Sequence, residues 1–115
     1  MFTAPTAIRA IKKEDHDGEL LKKYDLSKLK YLFLAGERCD PATFDWIAAL
    51  LEKPVIDHWW QTESGWPMLA TMMKTEPHIS KSGSAGRPVC GFDIRILTED
   101  GQVQEQGKPE LLPIE

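Results

Sequence analysis

Cysteine is almost missing from this chain: Cys39 and Cys90 are the only two in 115 residues, with no C-x-x-C pair and no zinc-site pattern of histidines beside them. That rules out a disulfide framework and reads as reduced thiols in a cytoplasmic protein. Long apolar runs are missing as well. No stretch approaches the roughly 20 residues needed to cross a bilayer, and residues 1–9 lack the apolar core of a secretory signal. Basic charge is in the minority, 14 Lys and Arg against 18 Asp and Glu, and it is scattered rather than clustered. Neither nucleic acid nor an anionic membrane is therefore the expected partner. There are no internal repeats. The segment Gly83-Ser84-Ala85-Gly86-Arg87-Pro88 has the composition of a phosphate loop, but no G-K-[ST] follows, so it reads as a structural loop leading into a strand.

What is present suits one α/β domain, and 115 residues can bury a core. Residues 4–13 predict a helix with Thr3 as N-cap and Pro5 in the first turn. A polar turn over 14–18 leads to a short helix over 19–24. The apolar run 29–35, ending at Gly36, predicts a buried strand. Asp40-Pro41 marks a helix start, Asp40 as N-cap and Pro41 at the first position, with Phe44, Ile47, Ala48 and Leu51 on its buried face. Residues 55–58 predict the next strand. Strand, helix, strand in that order implies parallel strands joined by a right-handed crossover, within a mostly parallel sheet flanked by helices. Residues 36–38 and 57–63 would then emerge at the same sheet edge. Further on, Met68, Met72 and Met73 read as core filler, and 74–88 as a polar loop. Residues 92–97 alternate as a half-exposed strand that 99–102 turn back into Val103. The tail, 104–115, has no periodicity and is expected to be poorly ordered.

The run Asp57-His58-Trp59-Trp60-Gln61-Thr62-Glu63-Ser64-Gly65 is the most informative stretch. A purine needs flat apolar surfaces, a phosphate needs hydroxyl or amide donors, and Mg²⁺ needs carboxylate oxygens. All three types follow a predicted strand, where open α/β sheets bind ligands. Single features here have plainer readings. His58 could be read as a general base, His16 and His78 fall in loops without partners in sequence, and Cys39 lacks a matched base and reads as a buried thiol.

Four blocks, TAPTAIRAIKKED (3–15), YLFLAGERCDP (31–41), DHWWQTESGWP (57–67) and GSAGRPVCGFDIRIL (83–97), resemble consecutive blocks of the AMP-forming acyl-CoA synthetases, most closely the propionyl- and acetyl-CoA branch. The resemblance covers about residues 2–103 and only a middle part of that family's large N-terminal domain. It implies a partial AMP-binding domain over 1–103 with a divergent tail over 104–115. The family uses ATP and Mg²⁺ to turn a carboxylate into an acyl-adenylate, then passes the acyl group to coenzyme A. By resemblance, Gly36, Glu37 and Arg38 run along the adenylate. Asp57 and His58 meet the base edge and Trp59 its face, while Trp60 floors a short acyl pocket. Gln61 and Thr62 approach the α-phosphate, and Glu63 holds Mg²⁺. In that register the family's Ser/Thr/Gly-rich loop for the β- and γ-phosphates falls before Met1. Its ribose-binding Asp, the Arg that follows and the adenylation lysine fall beyond the match. The expectation is thus an enzyme fragment, inactive alone, with a nucleotide and a short-chain carboxylate as small-molecule partners. Two other classes stay open: a free-standing module with weak nucleotide affinity, and a structural remnant that self-associates through exposed sheet edges.

Overall fold

A computed structural model describes residues 1–74 and 80–104. Its centre is a three-stranded, all-parallel sheet in the order β1 (Phe2–Thr3), β2 (Leu32–Leu34), β3 (Val55–Asp57). Leu32, Phe33 and Leu34 stand opposite Val55, Ile56 and Asp57, so the expected β2–helix–β3 unit with parallel strands is present. Helix α1 (Pro5–Glu14) joins β1 to the long connection before β2, and α2 (Pro41–Leu51) joins β2 to β3. Period-two alternation sorts the side chains. Leu32, Leu34 and Val55 join Ile8 of α1, Phe44 and Ile47 of α2, and Cys39 in one buried cluster. Both helices therefore cover the same sheet face. Ala48 and Leu51 pack on that cluster half-buried, as the helical spacing predicts.

The start of α2 follows from two residues. Asp40 is extended, its carboxylate accepts the Thr43 N–H at 2.9 Å, and Pro41 needs no donor at the first helical position. The start of α1 differs from the sequence expectation. Ala4 is the N-cap and makes no side-chain cap. Thr3 belongs to β1, where its carbonyl accepts the Ala35 N–H at 3.3 Å. A two-residue strand next to a proline-led helix has no periodicity to betray it.

Three further expectations are corrected. Residues 19–24 form only a 3-10 turn, Leu21–Lys23, because the Asp15 carboxylate captures the N–H groups of Leu20 and Leu21 and tightens the chain. The strand expected over 29–35 is confined to Leu32–Leu34. Residues 92–97 form no strand among the described residues: Leu97 makes one isolated bridge to Val103, and Ile96 is 68% exposed. The turn over 99–102 is present, closed by Thr98 N–H to the Gln102 carbonyl at 2.8 Å.

After Trp59 the chain adds a small antiparallel pair, β4 (Leu69–Ala70) with β5 (Arg87–Pro88). Gly86 makes the pair possible. It has φ +89°, and a Cβ there would lie 2.4 Å from the Ala70 carbonyl carbon. Met68 is buried while Met72 and Met73 are half-buried. His78 and 105–115 lie outside the described residues.

Candidate functional site

Strands β2 and β3 are parallel, so the segments leaving their C-terminal ends meet. Gly36 turns away from β2 with φ +99°, which glycine adopts without strain. On the other side His58 extends β3, donating its N–H to the Leu34 carbonyl at 3.0 Å. Trp59 is then fixed through its backbone to Leu69, donating to the Leu69 carbonyl at 3.0 Å and accepting the Met68 N–H at 2.8 Å. Between them lies a cleft of about 410 Å³, lined by Gly36, Glu37, Arg38, Asp57, His58, Trp59 and Trp60, with Leu69, Gly83 and Ala85 completing the wall. That volume suits a small organic ligand.

The cleft joins two indoles to a buried carboxylate. Trp59 and Trp60 are 46% and 40% exposed, which leaves indole surface open in the cleft. Asp57 is only 6% exposed. Burial pushes its carboxyl above the ordinary range, against hydrogen bonds from the backbone N–H groups of Cys39 and His58. His58 is almost equally buried, and its Nδ1 has no hydrogen-bond partner. Its ring sits edge-on to Phe2 and Phe33, with centroids 5.7 and 5.8 Å away.

Glu37 lines the cleft, and its carboxylate is engaged by residues of α1. Oε1 accepts the Thr6 N–H at 2.8 Å and the Thr6 hydroxyl, and Oε2 meets Arg9 at 2.6 Å. The Thr6 hydroxyl, helped by the Thr6 N–H and by Arg9, holds the Glu37 carboxyl below the usual range. Arg9 also reaches Asp40 at 3.1 Å. Cys39, fully buried beside this loop, has its thiol pushed up to about 11 by burial and by Asp57, so it is held as an unreactive thiol.

Gln61, Thr62 and Glu63 stand apart from the cleft lining. They are exposed, on or beside a 3-10 turn (Thr62–Ser64) that follows Trp60 directly. Ser64 holds this turn: its Oγ accepts the Gln61 N–H at 3.2 Å and lies 2.8 Å from the carbonyls of Gln61 and Trp66. Among the described residues no group of three or more His, Cys, Asp or Glu could hold a metal ion. Glu63 can offer one carboxylate, and a nucleotide phosphate would have to supply most of the remaining coordination.

Sequence reading passed over Leu69, Gly83 and Ala85 as wall residues, and Thr6 and Arg9 as the support behind Glu37. The segment 83–88, expected to be loop throughout, itself carries β5 (Arg87–Pro88), and its Gly83 and Ala85 line the cleft together with Trp59. The contact of Arg9 with Glu37 spans 28 positions and carries no local signal.

The pattern of the AMP-binding enzyme family matches residues 1–111. The chain is similar to human mitochondrial acyl-CoA synthetase short-chain family member 3, with 46% identity over 107 residues, covering 89% of this chain and 15% of that protein. It is also similar to the propionate–CoA ligase of Escherichia coli, 44% identical over 99 residues, covering 86% of this chain and 15% of the ligase. The chain thus spans only about 15% of the length of these curated relatives. In fold it is similar to a solved anthranilate CoA ligase in complex with anthranoyl-AMP, with a TM-score of 0.75 at 22% identity, over 93% of this chain and 19% of that one. On the family pattern that runs through both cleft segments, the chain belongs to the AMP-binding enzymes.

Proposed function

We propose that this chain supplies the base-binding and acyl-binding part of the adenylate site of a short-chain acyl-CoA synthetase, and that it does not complete adenylation alone. The observation that carries the reading is the meeting of 36–38 and 57–60 around one cleft with two half-exposed indoles. Trp59 stacks on the adenine and Trp60 limits the acyl group to a short carboxylate such as propionate, because an indole fills most of the volume a longer chain would need. Asp57 and His58 set the base edge, and the backbone of Gly36, Glu37 and Arg38 follows the adenylate. Gln61 and Thr62 meet the α-phosphate from the neighbouring turn, and Glu63 offers an oxygen to Mg²⁺. The metal would neutralise phosphate charge as the carboxylate attacks phosphorus.

Inactivity alone follows from charge. Among the described residues that line the cleft, Arg38 is the one arginine or lysine. Displacing pyrophosphate from ATP requires far more stabilisation of developing negative charge than one exposed guanidinium provides. Coenzyme A and the remaining donors then act on residues beyond those in the cleft. We place the protein in the cytoplasm on its free thiols, Cys39 and Cys90. No helix among the described residues is long and apolar enough to cross a membrane.

A second reading, self-association, has one specific observation behind it. The sheet face opposite the helices carries an open apolar depression of about 370 Å³ lined by Tyr31, Phe33, Ile56, Met72 and Met73, a surface that pairing of two copies would cover. The test of the first reading is to incubate the purified chain with ATP, Mg²⁺ and propionate and to titrate AMP separately. Saturable AMP binding without acyl-adenylate supports it. Acyl-adenylate formed by the chain alone would contradict the claim of inactivity, and concentration-dependent assembly with no AMP binding would favour the second reading.

A further inference from the structure

We infer that Arg9, outside the cleft on α1, is a positioning residue for the cleft and acts through Glu37. This deepens the nucleotide-site reading and rests on it. Gly36, Glu37 and Arg38 form one cleft wall, in a loop between β2 and α2. At Gly36 a Cβ would meet nothing within 4 Å, so the loop has open space beside it at that point, between buried Ala35 and Cys39. At Glu37 itself the contacts that hold the loop are polar. Arg9 reaches the Glu37 carboxylate at 2.6 Å with one nitrogen and the Asp40 carboxylate at 3.1 Å with the other. Its Glu37-facing nitrogen also lies 3.2 Å from the Thr6 hydroxyl, which itself donates to Glu37. The two carboxylates held by one planar fork sit at either end of Glu37–Asp40, the stretch that leads from the cleft wall to the α2 N-cap. A lysine offers a point charge in place of the fork and cannot hold both carboxylates in one plane. An exposed ion pair contributes little to global stability, so the expected consequence is local: the geometry of the wall that a ligand meets.

The two roles separate in a double-mutant cycle of AMP affinity on the purified chain, using Arg9→Met, Glu37→Gln and the pair, with thermal unfolding recorded in parallel. The expected result is a loss of roughly tenfold in affinity for Arg9→Met, a much smaller loss for the same change in the Glu37→Gln background, and partial recovery in Arg9→Lys. Equal losses in both backgrounds, or losses that merely follow the unfolding midpoint, would overturn the assignment. If the wild-type chain binds no AMP, the nucleotide reading fails and the positioning role is still decided by amide shifts and hydrogen exchange at Gly36, Glu37 and Arg38. Changes confined to those amides in Arg9→Met support it, and unchanged amides refute it.

Discussion

Residues 1–58 and the described residues from 59 onward meet at the cleft, and they are held together by different means. Up to His58 the chain has a parallel sheet, two helices that each start at a proline, and a buried cluster from four elements. After it, the buried apolar residues are Met68 and Val89, the strands β4 and β5 have two residues each, and Trp66, Ile96 and Leu97 are exposed. The first region draws its order from burying side chains against one another. The second depends on a few backbone bonds and on a glycine that lets two strands approach. The candidate site takes its fixed wall from the first and its aromatic face from the seam, an arrangement in which a rigid scaffold carries loops that contact the ligand.

The largest effect is expected from the core of the first region. Leu34→Ala removes a side chain with 0% exposure at the centre of the sheet, and should cost about 2–5 kcal/mol in denaturant unfolding. If unfolding of Leu34→Ala matches wild type, the sheet is not what holds this region. Gly86→Ala probes the other side. The forced φ alone costs about 1–3 kcal/mol, and the clash with Ala70 adds to it. Hydrogen exchange should accelerate at Leu69 and Val89 and stay slow at Leu34 and Ile56; equal acceleration throughout would mean that the two regions are one cooperative unit.

Asp40→Ala should remove the α2 cap at a cost of about 1 kcal/mol. The same carboxylate and Glu37 give the first region a dependence on acid. Both have folded pKa values below their ordinary ones, Asp40 through the Thr43 hydroxyl and N–H and then Arg9, Glu37 through Thr6 and then Arg9. Their stabilisation is complete above the ordinary carboxylate range and disappears as pH falls through the lowered values. Unfolding midpoints should therefore fall on acidification, and fall less in Arg9→Met; identical acid profiles would remove Arg9 from the account. The smallest effect concerns the thiols. Cys90 is exposed and Cys39 buried with a raised pKa, so a thiol reagent near neutral pH should label Cys90 alone until the chain is unfolded, with mass spectrometry as the readout.

Legibility in the sequence divided along the same line. Asp40-Pro41, the Phe44 and Ile47 spacing and the runs around Leu32–Leu34 and Val55–Asp57 were readable because local chemistry and tertiary packing agree there. The parallel β2–α2–β3 order implied by that pattern brings Gly36 and Asp57 to the same edge. β1 was invisible because two residues carry no period, and β4 and β5 for the same reason. Residues 92–97 show the opposite failure. Alternation marks a side-chain pattern, but a strand also needs a run of hydrogen-bonding neighbours, and among the described residues the pairing is confined to one bridge, Leu97 with Val103, where the Gln104 N–H donates to the Ile96 carbonyl at 2.8 Å. In the site, the aromatic and acidic residues were evident from type, whereas the Thr6–Arg9–Glu37 support depends on α1 lying beside the β2–α2 loop, which no local pattern encodes.

The central claim is that the seam between the regions still forms an adenylate-binding surface built on Trp59. Calorimetric titration of the purified chain with AMP and a propionyl-AMP analogue in Mg²⁺, repeated on Trp59→Ala, tests it directly. The expected result is saturable binding, tighter for the analogue, that weakens by at least about tenfold in the variant, in line with the roughly 1–3 kcal/mol that stacking of a base on an aromatic side chain provides. No heat at millimolar ligand, or equal binding by Trp59→Ala, would contradict it.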